Sequence, residues 1–173
     1  MAAEAAREIE DPVLYSVLAY WRQRRGERAM PRPEDIDPLG LGPRVLPHLV
    51  LVDVEAGGQL RFRLCGTAIV EAVGRDLKGR LVEEFHPDRE YGAWLISLYR
   101  RVLADKRPLY SESTYVSPAA GVARRTFRLV CPLSADGETV TRILGAQTFT
   151  FDPPPPGTAG EPDRYQTGPI HVL

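Results

Sequence analysis

At 173 residues the chain has room for one domain with a real core and short flanking arms. Its 22 lysines and arginines stand against 23 aspartates and glutamates, so no global field draws it to nucleic acid or to an anionic membrane. No run approaches the ~20 apolar residues of a membrane span, and the opening MAAEAAREIEDP carries no apolar stretch behind a basic cluster, so a cytoplasmic protein is expected.

The first predicted element is a helix. Asp11 is a capping side chain, Pro12 suits the first helical position, and Gly26 supplies the stop. Between them Val13, Leu14, Val17, Leu18 and Trp21 fall on one stripe that needs a partner surface, while Arg22, Arg24 and Arg25 in the last turn complement the helix dipole. Five prolines between Met30 and Pro47 then deny the chain a long helix or a central strand, leaving a connector with one short turn near Glu34 to Asp37.

Strand signals begin at His48. Leu49 to Val54 is an apolar run, Ala56-Gly57-Gly58 closes a hairpin, and Leu60, Phe62 and Leu64 alternate with Arg61 and Arg63 at the period of a strand with one buried face. Gly66-Thr67 breaks that period. Ala68, Ile69, Ala72 and Val73 fit a short helix, and Gly74 and Gly79 bracket a double turn. From Asp88 a longer helix repeats Tyr91, Trp94, Leu95, Leu98, Tyr99, Val102 and Leu103 at intervals of three and four, ending at Pro108. Three strands follow, Leu109 to Val116, Thr126 to Leu133 and Ile143 to Phe151, with turns at Ser117-Pro118 through Gly121 and at Asp136-Gly137. After Pro153 to Pro156 the remainder reads as an arm or a disordered tail.

A hairpin, short helices, a longer helix and a three-stranded meander together resemble a PAS sensor domain. The local stretches GRDLKGR, His86-Pro87-Asp88 and Cys131-Pro132-Leu133-Ser134 with Asp136-Gly137 are similar to that family's turn, helix start and strand exit. Trp21 to Met30, Asp35-Ile36-Asp37-Pro38 and Leu46-Pro47-His48 resemble a subgroup of bacterial proteins made of a single PAS domain. The resemblance implies an α+β fold, a five-stranded antiparallel sheet in order 2-1-5-4-3 with helices over one face and a cavity between. It divides the chain into a helix over 1–28, a connector over 29–47, the domain over 48–151 and a tail over 152–173. It also places Cys65 and Cys131 three strand spacings apart, about 14 Å, too far for a disulfide.

The implied cavity makes Tyr91, Trp94, Leu95 and Leu98 of the long helix, and Phe127, Leu129, Gln147 and Phe149 of the sheet, candidate ligand contacts. Taken singly, each apolar one reads as ordinary core, and Gln147 either contacts ligand or faces solvent or pairs within the sheet. His86 packs at the start of the helix rather than ligating haem, and no cysteine between Arg75 and Phe85 can form a flavin adduct. Cys65 and Cys131 are expected as buried free thiols; no metal and no cofactor is expected. Arg124, Arg125 and Arg128 are expected to pair with Glu112 across the sheet.

Asp53, Glu71, Asp76, Glu83 and Glu84 are scattered, with neither a nucleophile motif nor a phosphate loop, so catalysis is not expected. The expected function is a sensor that binds a small ligand or a protein partner and signals through its first helix, whose stripe forms a homodimer or docking interface. The alternatives are a ligand-free dimerisation module and a ketosteroid-isomerase-like enzyme, the latter opposed by a hairpin that precedes the main helix.

Overall fold

Six strands form one antiparallel sheet: β1 (Leu49–Val54), β2 (Leu60–Cys65), β3 (Leu109–Ser117), β4 (Val122–Leu133), β5 (Arg142–Asp152) and β6 (Arg164–Val172). Their order across the sheet is β2-β1-β5-β4-β3-β6, so the first five stand as the resemblance implies. The computed structural model describes residues 9–84, 86 and 88–173. Residues 1–8, Phe85 and Pro87 lie outside it, and with them the beginning of the expected 1–28 segment and the middle of His86-Pro87-Asp88.

The sixth strand corrects the reading of the tail as an arm. Gly168 and Pro169 argue against a strand in sequence, yet they sit where the β3–β6 register slips, Ser111 facing Ile170 and Ser113 facing Thr167. Two residues bulge opposite Glu112, and a Cβ on Gly168 would meet the Glu112 carbonyl oxygen at 2.8 Å. Pro169 is exposed on the outermost strand, where its missing N–H breaks no ladder.

One face of the sheet carries α2 (Thr67–Val73) and α3 (Arg89–Asp105), and the opposite face carries α1 (Pro12–Arg25). Asp11 fixes α1 at both levels. Its Oδ1 accepts the backbone N–H groups of Val13 at 2.9 Å and Leu14 at 3.0 Å, and its Oδ2 accepts the Thr148 hydroxyl of β5 at 2.7 Å. Leu14, Val17, Leu18 and Trp21 are buried in the chain's own core; Val13 is half-buried beside them. Trp21 is 2% exposed, and its indole N–H donates to the Pro132 carbonyl at 2.8 Å. The stripe expected at a homodimer or docking interface therefore finds its partner in β4 and β5. The reason is length: the connector spans three short helical turns, enough to return the chain from α1 to β1 across that face.

The connector is held to the sheet. Ser134 N donates to the Pro31 carbonyl at 2.9 Å. Gly66, the cap of α2, donates to the Leu49 carbonyl at 2.8 Å, and a Cβ there would collide with the Pro47 carbonyl. Cys65 is half-buried rather than buried, Cys131 is buried, and both thiols are free.

Candidate functional site

Alternation along β4 decides which side chains meet α3. Arg124, Thr126 and Arg128 share the face under α2 and α3, whereas Phe127 and Leu129 turn to the α1 face. On β5, Gln147 and Phe149 share the α3 side, and Thr148 between them holds α1. On α3, Tyr91, Leu95 and Tyr99 recur every four residues and so fall on one line facing the sheet. A cavity of about 490 Å³, partly open to solvent, lies between these rows, lined also by Ile69, Val73 and Leu77 and by Tyr165 of β6.

Of the expected contacts, Tyr91, Leu95, Gln147 and Phe149 line this cavity. Leu98 is fully buried in the core, Phe127 and Leu129 face away, and Trp94 stands behind the wall, its ring 5.8 Å from the Arg128 guanidinium carbon. The expectation that three arginines pair with Glu112 holds for Arg125 alone, at 3.4 Å. Arg124 and Arg128 occupy alternate positions and point into the cavity, a period-two consequence that was present in the sequence.

Arg128 is 4% exposed. Its Nη2 donates to the Tyr91 hydroxyl at 3.1 Å and to Gln147 Oε1 at 3.4 Å, so Gln147 faces the cavity. Nε and Nη1 have no hydrogen-bond partner among the described residues, and the same is true of the Tyr99 hydroxyl. Arg124 donates to the Ala72 carbonyl of α2 and lies 5.3 Å from the centroid of Tyr115 and 5.8 Å from that of Phe149.

The aromatic wall is continuous. Tyr165 stacks on Tyr91 at 4.5 Å and on Tyr115 at 4.7 Å, and the His86 ring sits 4.5 Å from Tyr91 and 4.9 Å from Tyr165. His86 Nδ1 accepts the Asp88 N–H at 3.1 Å, the helix-start role that the sequence assigned it. Tyr165 gave no sequence signal, because its place depends on a strand pairing some fifty residues away from β3 in sequence.

Burial and charge set the protonation of these groups. Burial pushes the Tyr99 phenol up to about 12, and that of Tyr165 likewise to about 12. Burial works in the same sense on Tyr91, but the Arg128 charge and the hydrogen bonds from Ser113 and Arg128 outweigh it and leave that phenol below its ordinary value. Burial lowers His86, and the Arg124 and Arg128 charges add to the effect against Asp88. The Cys65 thiol is pushed up to about 11 by burial, which keeps it a poor nucleophile.

Among the described residues no cluster of three or more His, Cys, Asp or Glu side chains is placed to hold a metal ion, and no helix is long and apolar enough to cross a membrane. Residues 9–148 match the family described as PAS domain, well over half of the chain. The chain belongs to the PAS-domain family. Among solved structures, this PAS domain is similar to the "RsLOV d2 variant", at 15% identity and a TM-score of 0.45, over 88% of this chain and 72% of that one. No curated protein matches it.

Proposed function

We propose that this PAS domain is a non-catalytic sensory module whose input is a small molecule held between α3 and the sheet, and whose output is a change in the surface it offers a protein partner. The supporting observation is the cavity itself. Its volume of about 490 Å³ is within the usual range for small-molecule sites, and its wall mixes apolar and aromatic side chains with convergent polar and charged ones, among them Arg128, Gln147 and a Tyr99 hydroxyl with no hydrogen-bond partner among the described residues.

The proposed output runs through β5. Gln147 meets the ligand on one face, and the next residue, Thr148, holds the α1 cap Asp11 on the other. A ligand that shifts β5 thereby biases the seating of α1, which keeps the first helix as the transmitting element although its stripe is covered. Two free cysteines suit the reducing cytoplasm, where this module is proposed to act.

Native mass spectrometry of gently purified protein tests the reading. Retention of a small molecule by the wild type and its loss from Thr126→Phe, which fills the cavity from the centre of β4, is the expected result. A wild type that carries no adduct and shows the same binding to a small-molecule panel as Thr126→Phe would refute it and favour a ligand-free interaction module.

A further inference from the structure

This inference rests on the ligand-binding reading above and names the chemistry of the ligand. We propose that the cavity takes a small organic acid, a monocarboxylate on a planar aromatic body, with the Arg128 guanidinium as its counter-ion. A guanidinium is permanently charged and carries five N–H donors. At 4% exposure Arg128 is removed from bulk solvent, yet its described hydrogen-bond partners, Tyr91 and Gln147, are both neutral. No carboxylate of the described residues forms a salt bridge with it, and two of its three nitrogens donate to none of the described residues.

A buried charge in this condition is unfavourable unless an anion joins it. Water in the cavity could take up the free N–H groups but would not neutralise the charge. The guanidinium carbon lies over the Trp94 ring, 5.8 Å from its centroid, an attraction that adds no negative charge. The only acid on the wall among the described residues is Glu84, and it is exposed.

The rest of the wall narrows the class. Arg124, half-buried, also points into the cavity, held by the Ala72 carbonyl and two rings but with its Nε unpartnered among the described residues, and Arg75 lines the exposed rim, so Arg128 is the one fully buried cation among the described residues of the wall. Thr126, Gln147 and the Tyr99 hydroxyl, all neutral, supply the remaining polar contacts there. The planar fork of the one fully buried guanidinium matches a carboxylate in a bidentate pair. Phe62, Phe149 and Tyr165 provide flat apolar surfaces for the body of the acid.

The test uses matched acids and amides: benzoate with benzamide, 4-hydroxybenzoate with 4-hydroxybenzamide, and phenylacetate with phenylacetamide. Each is titrated into the full chain by calorimetry and ligand-observed NMR. At least one acid should bind about tenfold or more tighter than its amide, by the strength of a charge-assisted pair. Arg128→Gln should erase that preference and Arg128→Lys should keep most of it. An arginine that only braces Tyr91 and Gln147 would instead weaken acid and amide alike in both variants.

Equal affinity of acids and amides for the wild type, with both blocked by Thr126→Phe, would overturn the acid while leaving the small-molecule reading intact. Persistence of the preference in Arg128→Gln would overturn the role of Arg128. Failure of every acid and amide to bind would overturn this proposal, and a wild type also free of any retained molecule would remove the reading beneath it.

Discussion

Replacing Trp21 with phenylalanine separates a helix that belongs to the core from one that waits for a partner. The substitution removes the indole N–H from the Pro132 carbonyl, which lies past the last β3–β4 pair, Leu109 with Val130, and is buried. An unsatisfied buried carbonyl costs about 1–3 kcal/mol. The smaller ring leaves roughly 40 Å³ empty, worth about 1 kcal/mol at the usual cost per unit of cavity volume. Together these predict a loss of about 2–4 kcal/mol, which at about 2 kcal/mol per molar urea moves the unfolding midpoint down by roughly 1–2 M. Equilibrium urea unfolding followed by far-ultraviolet circular dichroism measures it, with Tyr15→Phe, an exposed position on the same helix, as the control expected to stay within about 0.5 kcal/mol. An unchanged midpoint accompanied by altered sedimentation would refute the packing described for α1 and return its stripe to an intermolecular interface.

Three further outcomes follow from other parts of the fold. Gly66→Ala should lower the thermal midpoint and cost about 1–3 kcal/mol or more, because its Cβ meets the Pro47 backbone carbonyl and neither chain segment can give way; a neutral effect in calorimetry would contradict that close approach. Truncation after Asp152 removes β6, uncovers the β3 edge and takes Tyr165 from the cavity, so the protein should unfold at lower urea and self-associate in sedimentation; unchanged behaviour would place the tail outside the sheet. His86 is lowered by burial, so the unfolded chain takes up its proton first as pH falls. Its contribution is complete above the ordinary histidine value of 6.5 and is lost as pH falls through the lower folded value. The wild-type thermal midpoint should therefore fall more than that of His86→Phe between pH 7.5 and 5, and parallel curves would show that His86 is not a buried neutral ring.

Much of this was legible in residue order because the determinants are local. The Leu60, Phe62 and Leu64 alternation, the four-residue spacing of Tyr91, Leu95 and Tyr99 and the turn glycines each act within a few residues, while the five-strand order was implied by the PAS resemblance those elements carry. The stripe on α1 was equally plain, but periodicity reports that a face is apolar and not what covers it. Phe127 and Leu129 were assigned to the cavity because they are apolar, while the strand's period of two gives that face to Arg124, Thr126 and Arg128. Charge argued for solvent, and burial won for Arg128 because it sits where the sheet and α3 leave a cleft. β6 was hidden by Gly168 and Pro169, residues that an edge bulge accommodates and a central strand would not.

A crystal structure of the full chain grown with benzoate, or with whichever matched acid binds best, tests the account most directly. Density for a planar acid between α3 and the sheet, its carboxylate on the Arg128 guanidinium and its ring against Phe149 and Tyr165, is the expected result. Ordered water alone in the cavity, or an acid bound only at the protein surface, would contradict it.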